Sequence, residues 1–175
     1  MHAAGGNLVR VRLWNNAAWT RYSDLADVKA TLRRAKDAHL RTLLDFHYSD
    51  DWADGDKQFA PFAWAKLDTG AQVRALHDFT CGTLQSLAAA SVSPDMVEAG
   101  NETNPELMGG TSKTIDAPRN AVLLNAGLAS VREAARAQHR PILSMLQIAQ
   151  PENAEPWFAA ARSAGINDPD IIGLS

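Results

Sequence analysis

Residues 95–104 read Asp95-Met96-Val97-Glu98-Ala99-Gly100-Asn101-Glu102-Thr103-Asn104. An apolar, β-branched start runs into a glycine and then an Asn-Glu pair, the composition of a short strand whose last residues leave the sheet. A carboxylate at such a strand end is suited to giving and taking a proton at a leaving oxygen. Working outward, four similar runs flank it, at Leu8 to Trp14, Thr42 to Tyr48, Ile142 to Ile148 and Asp170 to Ser175; with Asp95 to Asn101 they make five strand candidates. Helical patterns separate them. Leu25, Val28, Leu32 and Ala35 recur at spacings of three and four in a helix from Ser23 to about Ala38. The next helix starts at Thr69, where Thr69 and Gln72 have capping-box spacing, and carries Val73, Leu76, Leu84 and Leu87. A third spans about Asn120 to Gln138 with Leu124, Leu128, Val131 and Ala135 inward, and a shorter one begins near Pro156.

Strands separated by single helices run parallel, because each crossover returns the chain to the same end of the sheet. The links into strands are short, whereas those out of strands (15–22, 49–68 and 103–119) are long and elaborated. That asymmetry puts function at the strand C-termini. The fold expected is α/β: a partial (β/α)8 TIM barrel, about strands two to six, in a single domain over residues 1–175 that lacks the first and the last two β/α units.

Side chains alternate along a strand, so Arg10, Arg12 and Trp14 share one face, opposite Val9, Val11 and Leu13. Asp45 and His47 likewise oppose Leu44 and Phe46, and the same parity groups Glu98, Gly100 and Glu102. An interior lined by Arg12, Asp45, His47 and Glu102 requires mutual ion pairs and hydrogen bonds, since unpaired charge is costly to bury. Trp14, Trp19, Trp52, Trp64 and Trp157 lie in or beside the strand-to-helix links, where an indole either packs or stacks on a sugar face; Trp52, among Asp50, Asp51 and Asp54, is the leading ligand candidate.

Bulk properties narrow the field. With 46% hydrophobic and 21% charged residues and a net charge of -3, the 175 residues have globular composition and no basic footprint, so no nucleic-acid partner is expected. No apolar run approaches the roughly 20 residues that span a bilayer. The N-terminus Met1-His2-Ala3-Ala4-Gly5-Gly6 lacks the basic-then-apolar pattern of a signal peptide; the chain is cytoplasmic, or the start of a secreted precursor is not represented. Cys81 reads as a small buried side chain. His2, His39, His47, His77 and His139 show no ligand-like spacing, so no metal and no cofactor are expected, and Gly5-Gly6 and Gly109-Gly110 read as turns.

VRVRLW at 9 to 14, LLDFHYSDDWAD at 43 to 54, DMVEAGNETN at 95 to 104, QPENAEPWF at 150 to 158 and DIIGLS at 170 to 175 together resemble the family 53 glycoside hydrolases, the arabinogalactan endo-β-1,4-galactanases. The resemblance implies a (β/α)8 barrel, secreted when complete, that hydrolyses β-1,4-galactan or arabinogalactan with retention. It implies Glu102 as general acid/base, Asn101 as the residue that binds the sugar 2-hydroxyl, and Arg12, Asp45, His47 and Trp52 as residues that shape the sugar cleft. It also implies a nucleophile after the seventh barrel strand, beyond the five strands read here, so the 175 residues alone are expected to be inactive. Glu98 has the parity to substitute, but on an extended strand it would lie about 13 Å below Glu102. Gly55, Gln147 and Glu106-Leu107-Met108 depart from the family pattern around the cleft. Alternatives are a non-catalytic carbohydrate-binding remnant and another retaining β-glycosidase of the same clan.

Overall fold

The computed structural model describes residues 4–175; the Met1-His2-Ala3 part of the N-terminal reading lies outside the described residues. Five parallel strands, β1 (Leu8–Leu13), β2 (Arg41–Phe46), β3 (Met96–Glu98), β4 (Leu143–Ile148) and β5 (Ile171–Leu174), lie side by side in chain order. Helices α1 (Leu25–Asp37), α2 (Thr69–Ala89), α3 (Ala117–Ala137) and α4 (Ala154–Ser163) connect them. Sequential order with one helix per crossover is the arrangement of a (β/α)8 barrel opened along one side, and the fold is part of such a barrel.

Helices α1, α2 and α3 each begin where a side chain satisfies a free amide, whereas α4 has no side-chain cap. Asp24 accepts from Asp27 N and Asp116 from Arg119 N, with Pro118 in the first turn of α3. For α2 the cap is Asp68, which accepts from Ala71 N, rather than the Thr69 expected from capping-box spacing; a carboxylate one residue earlier caps better and is favoured by the helix dipole. Gln72 is thereby freed to donate to Trp64 O and to accept from Arg119. His39 and His139 follow the ends of α1 and α3 with positive φ, both exposed.

Between sheet and helices the core is apolar: Val11, Leu13, Leu44, Phe46, Val97 and Leu146 meet Val28, Leu32, Leu76, Leu84, Leu124, Leu128 and Val131. Of the expected inward residues, Leu25, Val73 and Ala135 are only partly buried. The other sheet face carries a small apolar floor of Leu43, Met96 and Met145, above which every strand turns polar. Register is fixed at the lower edge by two carboxylates. Asp95 Oδ2 accepts from Thr42 N at 2.8 Å, and Asp170 Oδ2 accepts from Ser144 N and Oγ at 2.8 and 2.7 Å. The resulting alignment places Arg12, Asp45, Glu98 and Met145 in one row.

Candidate active site

The polar members of that row, Arg12, Asp45 and Glu98, and the turns above them form a cluster at the strand C-termini. Arg10, one layer lower, reaches up through it: Nε and Nη2 donate to Glu98 Oε2 and Oε1 at 2.8 and 2.7 Å, and Nη2 also meets Asn101 Oδ1 at 2.6 Å and Asp45 Oδ2 at 3.1 Å. Burial, with the Asp45 charge beside it, pushes Glu98 up to about 7 against the pull of Arg10. Arg10 is itself raised: burial opposes its charge, but Glu98 and Asp45 outweigh it.

His47 is held at both ring nitrogens. Nδ1 accepts from Ala53 N at 3.1 Å, so the proton sits on Nε2, which faces Asp45 Oδ2 at 3.1 Å. The hydrogen-bond pattern therefore assigns a neutral ring, oriented by the loop after β2.

Arg12, expected among the ion pairs, does something else. Its guanidinium lies 4.3 Å from the Trp14 ring centroid and 3.9 Å from that of Trp52, a cation lodged in the corner of two indoles set 77° to each other. Burial draws its pKa below the ordinary range, against Asp45. Parity put Arg10 and Arg12 on one face and could not say which reaches the carboxylates; the in-row neighbour of Asp45 stacks, and the deeper arginine, Arg10, bonds. Trp14 also packs at a tilt on Trp19, with centroids 4.9 Å apart, and edge-on to His47. Trp52 remains 44% exposed, whereas Trp64 packs in the core on Phe79 and Trp157 on Phe158. Among the described residues, Arg12 Nε, Trp14 Nε1 and Asp45 Oδ1 are buried polar atoms with no partner, and all three belong to this cluster.

The Asn-Glu pair sits on a bulge. β3 ends at Glu98, not at Asn101 as the sequence pattern suggested; Ala99 N bonds Met145 O, but Thr103 N, not Asn101 N, takes Gln147 O, at 2.9 Å. Two extra residues are thus looped out, with positive φ at Gly100 (105°) and Glu102 (43°). A Cβ on Gly100 would meet Thr103 Cγ2 at 2.7 Å, so glycine is required. Because the insertion is of two residues, Glu98 and Glu102 remain on one side of the sheet, as parity predicts, and border the same cavity. What the bulge changes is the expected 13 Å separation: anchored beside Gln147, two residues above Met145, Glu102 lies about 7 Å above the Glu98 level.

The strained Glu102 backbone is held from both sides. Its N–H donates to Gln147 Oε1 at 2.6 Å, its carbonyl accepts from Gln58 Nε2 at 3.1 Å, and its carboxylate Oε2 accepts from Gly55 N at 2.9 Å. Asn101 is fixed by Arg10 on its oxygen and by Ala53 O, 2.7 Å from Nδ2. Glu102 faces a cleft of about 520 Å³ lined by Asp54, Gly55, Asn104, Lys113, Gln150 and Asn153, and with Arg10, Glu98, Asn101 and Gln147 it borders a second of about 250 Å³. Sequence reasoning missed Arg10 as a binding partner and Gln58 altogether. Asp50 bonds Asn16 N and Phe62 N, so it ties two loops together; Asp54 organises its own turn.

The glycosyl hydrolase family 53 model matches residues 1–175. The chain belongs to glycosyl hydrolase family 53. It is 51% identical to an arabinogalactan endo-β-1,4-galactanase of Cellvibrio japonicus, over 98% of this chain and 47% of that protein. Identity to an endo-β-1,4-galactanase of Bacillus subtilis is 34%, over 98% and 40%. In three dimensions the family 53 catalytic domain of Ignisphaera aggregans superposes with a TM-score of 0.87 at 28% identity, over 99% of this chain and 49% of that one. A fungal β-1,4-galactanase gives 0.88 at 29%. The chain thus spans about half the length of the family 53 relatives it matches. Among the described residues no helix is long and apolar enough to cross a membrane.

Proposed function

We propose that the cleft binds β-1,4-galactan or arabinogalactan and that Glu102 is the general acid/base of retaining galactan hydrolysis. In this reading protonated Glu102 gives its proton to the departing glycosidic oxygen and, as carboxylate, then takes one from the attacking water. Asn101 meets the sugar 2-hydroxyl, Trp52 supplies a stacking face, and Arg12, Asp45 and His47 hold the wall behind it. The observation that carries the proposal is the Gly100–Glu102 bulge: a positive-φ glutamate, pinned through Gln147, Gln58 and Gly55, with its carboxylate in an open cleft. Backbone strain of this kind is stored where a side chain must be aimed.

Retention needs a second carboxylate about 5–5.5 Å from the first. Glu98 is clamped by Arg10, and Asp45 by Arg10 and His47, so neither is a free nucleophile. The 175-residue polypeptide on its own is therefore proposed to bind galactan without cleaving it. Tryptophan fluorescence titrated with β-1,4-galacto-oligosaccharides, alongside a reducing-end assay, tests both parts. Saturable binding without new reducing ends supports them; no binding, or equal binding of mannan and cellulose oligosaccharides, refutes the galactan assignment. Placing the 175 residues in the Cellvibrio japonicus relative, in exchange for the segment they match, tests Glu102 itself: Glu102→Gln should then lower kcat by about 10²–10⁴-fold.

A further inference from the structure

On the outer helical layer, away from the cleft, His77 and Cys81 stand four residues apart on one face of α2, and Glu133 of α3 faces them. His77 Nε2 lies 2.9 Å from Glu133 Oε2, Cys81 Sγ lies 3.7 Å from His77 Nε2, and the same sulfur lies 3.9 Å from Glu133 Oε2. We propose that His77, Cys81 and Glu133 form a binding site for a zinc-class divalent cation that fastens α2 to α3.

Ligands at ordinary zinc distances, tetrahedrally arranged, are separated by about 3.3–3.6 Å, and the three edges observed bracket that range. Nitrogen, sulfur and carboxylate oxygen are the donor set of a borderline-soft ion. His77 Nδ1 lies 3.2 Å from Asp78 Oδ1, the carboxylate contact that orients a metal-bound imidazole and leaves Nε2 free for the ion. An ion pair of His77 with Glu133 accounts for one edge and gives the thiol no part. The cluster is half-exposed, so an ion can enter, and Cys81 and Glu133 also border a groove of about 540 Å³ that leaves room for a fourth, exchangeable ligand. Binding must displace protons: Asp78 first, then Glu133, hold the His77 pKa above its usual value, and burial raises that of the Cys81 thiol.

Cobalt(II) added to the full 175-residue chain tests this by absorption. A 1:1 saturable signal with a thiolate-to-cobalt charge-transfer band, displaced by zinc, is expected. Cys81→Ser and His77→Ala should abolish the band and weaken zinc binding by at least about tenfold, and Asp78→Asn should weaken it by about tenfold. Should a variant not fold, alkylation of Cys81 in the unaltered chain reads the same site, and zinc should slow it at least about tenfold. Absence of the band, its persistence in Cys81→Ser, or alkylation indifferent to zinc overturns the proposal.

Discussion

Replacing Glu98 with glutamine isolates the electrostatics beneath the cleft. Glu98 is fully buried beside Asp45, and its folded pKa of about 7 stands above the ordinary 4.5. A group raised in this way binds more protons folded than unfolded, so its stabilising contribution is complete below about pH 4.5 and is lost as pH rises through 7. The gap corresponds to about 3 kcal/mol, which at a urea dependence of about 2 kcal/mol per molar lowers the unfolding midpoint by about 1.5 M between pH 4.5 and 8. His77, also raised, loses stability in the same direction over part of this window, and Asp170, which is lowered by the Ser144 amide, acts at more acid pH. The informative quantity is therefore the difference between the unaltered chain and Glu98→Gln, in which the His77 part persists and the Glu98 part vanishes. Urea unfolding followed by tryptophan fluorescence at pH 5 and pH 8 measures it. Equal pH dependence in the two proteins would refute the reasoning, since Glu98 would then titrate alike folded and unfolded.

Gly100→Ala should destabilise by about 3 kcal/mol, from a left-handed backbone and a crowded Cβ together, measurable as a lowered urea midpoint. Trp52→Ala removes the more exposed of the two indoles that contact Arg12 and should lower galacto-oligosaccharide affinity by at least about tenfold in a fluorescence titration, with a stability change of only about 1 kcal/mol. β1 and β5 are the edges of the sheet, and Ile172 and Leu174 on β5 are 54% and 49% exposed; the 175-residue polypeptide should self-associate through such edges. Light scattering that returns a monomer at tens of micromolar would contradict this.

Much of the scaffold was legible because its signals are periodic. Alternation in Val9 to Trp14 and in Leu43 to Tyr48 assigns the inward and outward faces correctly, the three- and four-residue stripes locate α1, α2 and α3, and Pro156 marks α4. The site was legible only in part. Nothing in the sequence marks Glu102 as a positive-φ residue, and Gly100, its one hint, is equally at home in a simple strand end; the strand pattern therefore runs on to Asn101, three residues past the end of β3. Gln58 sits in a long loop without periodicity, so its three carbonyl contacts, to Asp54, Asn101 and Glu102, had no local signature. Cys81 reads in sequence as a buried filler, yet it is half-buried, with His77 on its own helix and Glu133, 52 positions away, beside it on the next. The spacing of His77 and Cys81 was visible, but only α2–α3 packing supplies the third group.

The bulge explains why two glutamates four positions apart have such different surroundings. Had the strand continued straight through Asn101, the ladder that now joins Thr103 to Gln147 would have bonded Asn101 instead, and Glu102 would have been carried past the rim with its backbone amide unpaired. Looping out two residues keeps the carboxylate at the height of Gln147, where Gly55 can donate to it, and turns Asn101 back onto Arg10 and Ala53. Glu98, left in the regular row, is committed to Arg10 and buried. Gln147 is the hinge of this arrangement: its carbonyl takes Thr103 while its side-chain oxygen takes the Glu102 amide. Gln147→Leu should therefore leave a partly buried amide unsatisfied, at about 1–3 kcal/mol, and release the Glu102 turn. Hydrogen exchange at the Glu102 amide should accelerate in that variant while exchange in α1 stays unchanged; protection equal to that of the unaltered chain would mean that the bulge is held by Gly100 and Gln58 alone.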